Sequence, residues 1–147
     1  MKLTSHAIVP APRSAVFAAL VNPEVLQRSI PGCEALVATG PGTYEAQLRI
    51  GVAGLKGSYK GKVTLTDERP PDSFSLSFDG KGGPGFVRGT ALVRLSDEGA
   101  GTRVDSDADV QVGGLIAAVG SRLIEAATRK LADDFFKQLA VEVSASR

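Results

Sequence analysis

Residues 112–143 read VGGLIAAVGSRLIEAATRKLADDFFKQLAVEV, and this stretch decides the fold. Its apolar residues recur every three or four positions, which at about 100° per residue places them on one broad helix face. Charged residues of alternating sign occupy the opposite face, as on a solvated helix surface. The apolar face comprises Ile116, Val119, Leu123, Ala127, Leu131 and Phe135, and the charged face Arg122, Glu125, Arg129 and Asp133. We therefore predict one helix of about eight turns, which needs a large apolar partner surface.

The composition is typical of a single domain spanning 1–147, since 147 residues can bury a core of their own. With 17 basic and 16 acidic residues, the chain offers no overall charge for binding nucleic acid. A single cysteine, Cys33, excludes an internal disulfide and fits a reducing cytoplasm. One His and one Cys also disfavour a zinc site. Because the sequence has no signal peptide and no run of 18 apolar residues, we expect a cytoplasmic protein.

The chain ahead of the predicted helix indicates a sheet. Residues 2–9 form a first strand, and two short helices follow it, the second capped by Asn22. From Cys33 the apolar period changes to two, and six strands follow, separated by short glycine- and proline-rich turns. Consecutive strands with short turns form an antiparallel meander. The predicted fold is α+β: a curved antiparallel sheet of about seven strands wrapped around the long C-terminal helix, with two short helices after the first strand.

Several inward positions near the strand centres are very small, namely Gly61, Gly89, Ala91, Ser106 and Ala108. A glycine inside a strand leaves no side chain to pack, so these positions indicate an apolar cavity under the helix. The alternative is that the helix sits close to the sheet and fills the space. If the cavity exists, filling it with Gly89→Leu or Ala108→Leu should cost little stability, whereas in a packed core it should cost about 1–3 kcal/mol.

Four segments carry a resemblance to a known family. Residues 22–34 read NPEVLQRSIPGCE, residues 54–65 GLKGSYKGKVTL, residues 80–95 GKGGPGFVRGTALVRL and residues 111–136 QVGGLIAAVGSRLIEAATRKLADDFF. In this order they resemble the G subunits of carbon monoxide dehydrogenase, within the START-like helix-grip superfamily, also called SRPBCC.

The resemblance implies a non-enzymatic protein whose apolar cavity binds a lipid or quinone and which helps to recruit a molybdenum CO-dehydrogenase-type hydroxylase to the membrane. It implies no cofactor. Many relatives continue into a linker and a membrane segment, whereas this sequence ends at Arg147, so we expect only weak membrane contact, through Leu55, Lys56 and the loop 80–86. The expected location is cytoplasmic, peripheral at the inner face of the membrane.

Two other functions stay open at this point: a polyketide-cyclase-like enzyme on the same fold, or a ligand-free assembly factor for the hydroxylase, because fold alone does not decide function. The inward residues are aliphatic, aromatic or small, which favours the carrier. The candidate ligand-binding residues are Leu20, Leu26, Ile30, Leu48, Leu55, Tyr59, Gly61, Phe78, Phe86, Gly89, Ala91, Ser106, Ala108, Leu115, Ile116, Val119 and Leu123.

Catalytic and metal-binding interpretations of other residues are weaker. His6 alternates onto the outer face of the first strand, and Cys33 has no neighbouring base in sequence to activate it. Asp105, Asp107 and Asp109 share the outer face, where pairing with Arg88, Arg94 or Arg103 is expected rather than a metal. No catalytic residue and no metal ligand is therefore predicted.

Three glycine-rich segments, 51–57, 80–85 and 113–114, should meet at one end of the sheet, because the strands alternate in direction. Glycine permits backbone conformations that other residues resist, so these segments are suited to move as a lid over the cavity. We expect the hydrophobic ligand to pass at this end.

Overall fold

The computed structural model describes the backbone of residues 1–145 and the side chains of residues 1–144. Seven strands and four helices follow one another in the predicted order of strand, short helices, six strands and C-terminal helix. They are β1 (Lys2–Val9), α1 (Arg13–Leu20), α2 (Pro23–Ser29), β2 (Cys33–Gly40), β3 (Thr43–Ile50), β4 (Gly57–Arg69), β5 (Ser73–Gly82), β6 (Gly85–Glu98), β7 (Gly101–Gly113), α3 (Leu115–Ala118) and α4 (Ser121–Ala145).

The strands form one antiparallel sheet in the order β1-β7-β6-β5-β4-β3-β2. Since β1 pairs with β7, the first two strands lie at opposite edges, and α1 and α2 connect these edges. The second of these helices begins where Asn22 Oδ1 accepts a hydrogen bond from the backbone N–H of Glu24, 3.0 Å away. The predicted α+β fold, a curved sheet around a long helix, is confirmed.

The prediction of one unbroken helix over 112–143 is wrong. Strand β7 continues to Gly113, because Val112 and Gly113 still pair with β6. A single turn, α3, follows, and Gly120 then adopts φ +93°, a left-handed conformation that ends one helix before the next begins. The remaining helix, α4, has 25 residues, about 37 Å at 1.5 Å per residue.

This break also changes which residues of the helix face the sheet. Because α4 starts anew at Ser121, Ile124 is buried with 4% of its surface exposed, while Leu123 is 41% exposed. Val119, in the linker, is 40% exposed. The predicted apolar face is therefore correct at Ala127 and wrong at these two positions.

The apolar interior is divided into two clusters. The helical core cluster joins α1, α2 and the C-terminal half of α4 to the far half of the sheet, and includes an edge-on contact of Phe17 with Phe74 at 5.7 Å between ring centroids. The rim cluster consists of Ile50, Tyr59, Ile116 and Ile124, and joins α3 and the start of α4 to the other end of the sheet. Among the described residues none belongs to both clusters, and the sheet between them is where a cavity lies.

Candidate functional site: an apolar cavity under the C-terminal helix

The cavity has a volume of about 210 Å³ and lies on the concave face of β3–β6, beneath α4. Nearly all of its wall is apolar. Lys62 and Asp79 border it, but both side chains are exposed, since strand alternation turns them to the convex face. The wall is made by Ala46, Leu48, Ile50, Leu55, Tyr59, Gly61, Val63, Phe78, Gly80, Val87 and Leu131, with the backbone of Lys62 and Asp79.

One row of small residues across four strands forms the floor of the cavity. Ala46 pairs with Gly61, Gly61 with Gly80, and Gly80 with Val87. The adjacent rows on either side carry larger side chains, Leu48 and Tyr59 on the rim side and Val63 and Phe78 on the other. The cavity therefore exists because two paired glycines remove side chains where the neighbouring rows keep them.

Tyr59 carries the one hydroxyl group in this wall. Its Oη donates a hydrogen bond to the carbonyl oxygen of Leu55 at 2.6 Å, and burial raises the pKa of the phenol above its ordinary value of 10.0. The hydroxyl is therefore neutral at physiological pH and already engaged. It fixes the loop 51–56 in position and offers the cavity an apolar ring.

The loop 51–56 also contacts the start of α4. Gly54 has φ +93°, and a Cβ atom there would lie 2.9 Å from Cγ of Leu123. Only glycine combines this conformation with this close approach. Leu55, predicted as a ligand-binding residue and as a membrane contact, is half-buried and lines the cavity.

The three glycine-rich segments meet at this end of the sheet, as expected from the strand directions. Gly57 lies against Pro84, and the backbone N–H of Ile116 donates to the carbonyl oxygen of Pro84 at 2.9 Å. Gly114 lies against Gly85, where a Cβ atom would be 2.7 Å from the Gly85 Cα. We call these segments, 51–57, 83–85 and 113–116, the rim. The predicted loop over 80–85 is smaller than expected, because β5 runs to Gly82 and β6 begins at Gly85.

Five of the predicted ligand-binding residues line the cavity, namely Leu48, Leu55, Tyr59, Gly61 and Phe78. Others lie at the rim end: Ile116 is buried behind Tyr59, while Leu115, Val119 and Leu123 are 73%, 40% and 41% exposed. Leu20 is buried in the helical core cluster, and Leu26 and Ile30 are half-buried in and just after α2. Phe86 faces away from the cavity, since it pairs with Lys81 on the convex face and its ring lies 4.5 Å from the Arg88 guanidinium carbon.

The small residues of β6 and β7 do not line this cavity, which corrects the sequence-based argument that they create it. At Gly89 a Cβ atom would collide with the carbonyl oxygen of Asp109, so glycine is required by close strand approach. Ser106 pairs through its Oγ with the Oγ of Ser5 at 2.6 Å. Ala91 and Ala108 pair with each other one row beyond Gly89, towards the helical core cluster.

Sequence reasoning missed six wall residues. Alternation within the strands places Ala46, Ile50, Val63 and Val87 on the inward face without marking them as cavity residues. The sequence pattern predicts Leu131 only as part of the apolar helix face and Gly80 only as part of a loop. Their signal lay in the register: Gly80 is opposite Gly61, and this pairing is visible only once β4 and β5 are aligned. Alternation within a strand indicates which face of the sheet a residue occupies, but not which residues of the neighbouring strands lie beside it.

Other reactive groups are engaged elsewhere. The Cys33 thiol donates to the carbonyl oxygen of Ala35 at 3.4 Å, and burial raises the pKa of this thiol, which disfavours the thiolate. Arg94 pairs with Asp107 at 2.8 Å, and Arg103 with Asp105 at 3.1 Å. Within residues 1–144, no group of three metal-ligating side chains is close enough to hold an ion.

The fold is that of a START-like helix-grip protein. The chain has a TM-score of 0.95 and 31% identity to a conserved protein from Geobacillus kaustophilus, over 99% of this chain and 97% of that one. It has a TM-score of 0.78 and 12% identity to a START superfamily protein from Mycobacterium smegmatis, over 99% of both chains. It has a TM-score of 0.72 and 17% identity to a protein from Thermus thermophilus, again over 99% of both chains.

The chain belongs to the CoxG family, the G subunits of carbon monoxide dehydrogenase, whose family model matches residues 6–144. This confirms the family indicated by the four sequence segments. A comparison with curated proteins finds no match. In the part of the chain described by the structure, no helix is both long and apolar enough to cross a membrane.

Proposed function

We propose that this protein is a non-enzymatic carrier that binds the apolar chain of a lipid or isoprenoid quinone and couples a molybdenum CO-dehydrogenase-type hydroxylase to the membrane. The observation that carries the proposal is the cavity of about 210 Å³ with an almost wholly apolar wall. Such a wall favours hydrocarbon and penalises any polar group that lacks a partner inside. The ligand's polar head is therefore expected to remain at the rim.

The size of the cavity limits how much of a ligand it holds in this conformation. Sites for drug-sized ligands measure about 300–1,000 Å³, and this cavity is smaller at about 210 Å³. A long isoprenoid or acyl chain thus enters only partly, or enters when the loop 51–56 moves away from α4. The packing of this loop through two contacts, Tyr59 with Leu55 and Gly54 with Leu123, makes it the proposed moving part.

The rim is the proposed membrane contact. Leu115 exposes apolar surface there, and Val119 and Leu123 do so in the adjoining linker and at the start of α4. Leu123 lies against Gly54, in the loop that carries Leu55 and Lys56. Three exposed aliphatic side chains and a net charge of +1 favour a weak, reversible contact at the inner face of the membrane. Family membership supports the hydroxylase as the enzyme that is served.

An enzyme on the same fold is the alternative of a different class. Acid–base catalysis needs a titratable side chain within hydrogen-bond reach of the bound substrate. Here the Tyr59 hydroxyl is hydrogen-bonded to the backbone, and Lys62 and Asp79 point to the opposite face of the sheet. These contacts favour a carrier over a cyclase-like enzyme.

Isothermal titration calorimetry of the purified protein with decylubiquinone and with palmitate tests the proposal. We expect saturable binding with a negative heat-capacity change, because apolar surface is buried. Ala46→Leu should abolish it by filling the cavity floor, whereas Ala108→Leu adds the same side chain one row beyond Gly89 and should bind as wild type does. Equal binding by both variants would place the ligand elsewhere.

A further inference from the structure

The convex face of β4 and β5 carries lysines that lack an ion-pair partner among the described residues. Lys60, Lys62 and Lys81 are exposed, and within residues 1–144 no carboxylate oxygen lies within 4.0 Å of their ammonium groups. Arg88 is close to them on β6, where it pairs in register with Asp79 and covers the Phe86 ring. We call these four cations the basic face.

Two of the lysines are placed where they repel each other. Lys60 and Lys81 are direct cross-strand partners, and like charges in this relationship destabilise a sheet. An acidic residue at either position would give an attractive pair at no cost in packing, since both side chains are exposed. The repulsion thus points to a role for both positive charges outside the folded chain.

The surface between these lysines is an open depression of about 410 Å³. Lys60, Lys62 and Lys81 border it, and so do the carboxylates of Glu45 and Asp79, which flank Lys62 in register. Val37, on the edge strand β2, pairs in register with Glu45 and is 58% exposed. The depression therefore combines an excess of positive charge with interspersed acids and one aliphatic residue.

Elsewhere on the convex face, three ion pairs join charges on β1, β6 and β7. Asp107 lies 2.8 Å from Arg94, Asp105 lies 3.1 Å from Arg103, and Asp109 lies 3.5 Å from Lys2. The cations of the basic face are concentrated over the cavity instead: Lys60 stands between Tyr59 and Gly61, whose inward sides form the cavity wall.

We propose that Lys60, Lys62, Lys81 and Arg88 form a docking face for an acidic surface of a protein partner. The inference rests on the proposed function in that it takes the hydroxylase to be this partner. A mosaic of both charge signs with one apolar contact suits protein recognition, where complementary charges set orientation and association rate. A protein surface can set a cation opposite Glu45 and Asp79 and acids opposite the lysines, whereas a uniformly anionic membrane cannot. The exposed apolar side chains suited to membrane insertion lie at the other site, around the rim.

Docking through this face places the partner on the outer surface of the strands that form the cavity and leaves the rim free. The hydroxylase and the membrane would then occupy different surfaces of the carrier. A ternary arrangement of membrane, carrier and hydroxylase is thereby possible, without the carrier having to release one contact to make the other.

The test measures binding of the purified CO-dehydrogenase-type hydroxylase of the same organism by surface plasmon resonance. Lys60→Glu/Lys81→Glu should weaken wild-type affinity about tenfold or more, mainly through the association rate, and the wild-type affinity should fall with salt. Arg122→Glu/Arg129→Glu makes the same charge change on the exposed face of α4 and should bind as wild type. Single Lys60→Glu should keep or raise the melting temperature, because it turns the repulsive pair into an attractive one.

Equal hydroxylase affinity of the Lys60/Lys81 variant, the α4 control and wild type would overturn the docking face. Vesicles of phosphatidylcholine with phosphatidylglycerol provide the membrane arm: loss of vesicle binding by the Lys60/Lys81 variant, with hydroxylase binding intact, would also overturn it. Wild type that retains ligand but does not bind the hydroxylase would refute this inference and leave the carrier standing. Wild type that binds the hydroxylase without ever binding a ligand would refute the carrier function and leave the docking face standing.

Discussion

The hydroxyl group of Tyr59 donates a hydrogen bond to the carbonyl oxygen of Leu55 at 2.6 Å, and both residues line the apolar cavity. Tyr59 lies in strand β4 and Leu55 in the loop just before it, so the strand holds its own preceding loop in place. The bond uses the one hydroxyl of the cavity wall. The same contact that closes the cavity thus keeps its interior apolar.

Tyr59→Phe removes this hydrogen bond and keeps the ring. The Leu55 carbonyl loses its donor, which should cost about 1 kcal/mol, and the loop 51–56 should open more often. We expect a slightly lower melting temperature and faster exchange of bound decylubiquinone in stopped-flow experiments. Tyr44→Phe, on β3 outside the cavity wall, is the control. If decylubiquinone exchanges as slowly in Tyr59→Phe as in this control, the loop 51–56 is not the entry route of the ligand.

Gly89→Ala should be destabilising even though it adds only a methyl group. A Cβ atom at Gly89 meets the carbonyl oxygen of Asp109 on β7, and relieving this overlap should cost about 1–3 kcal/mol. Gly83→Ala is the matched control, since nothing lies within 4 Å of a Cβ atom there. Urea denaturation should give a lower midpoint for Gly89→Ala alone, and equal midpoints would mean that the strands can separate easily.

The ion pair between α2 and α4 should make the stability of the fold depend on pH in the acidic range. Arg28 Nε donates to Oε1 of Glu142 at 2.5 Å, and this hydrogen bond lowers the pKa of Glu142 below its ordinary 4.5. A lowered folded-state pKa contributes stability above the ordinary pKa, and this contribution is lost as the pH falls through the folded value. Glu142→Gln should thus melt below wild type at pH 7, with the gap closing as the pH falls below the ordinary pKa of 4.5. A constant gap would contradict the assignment.

The fold could be predicted from sequence because its signals are local. Alternation from Cys33 onwards, the Asn22 cap and the short turns between strands each act over a few residues and require an antiparallel meander. The prediction of one unbroken helix was wrong for a similar reason. The apolar spacing continues from Ile116 through Leu123, and only the left-handed backbone at Gly120 ends one helix and starts the next in a different phase.

The cavity was predictable in kind but not in position. Small inward residues occur on β4, β6 and β7, and the sequence alone does not distinguish a glycine that leaves space from one required by close backbone approach. Gly80, which pairs with Gly61 under α4, leaves space, since a Cβ atom there would have its nearest neighbour 3.8 Å away, whereas Gly89 accommodates the Asp109 carbonyl. That difference depends on register between strands and on where the helix lies, which are tertiary properties.

Native mass spectrometry of the protein purified from its own cells tests the central claim most directly. Wild type should carry a bound lipid or quinone that dissociates on collisional activation. Ala46→Leu, which fills the cavity floor, should lack it, and Ala108→Leu, outside the cavity wall, should retain it. Repeated recovery of wild type at the mass of the bare chain, or the same adduct on folded Ala46→Leu, would contradict a carrier that holds its ligand in this cavity.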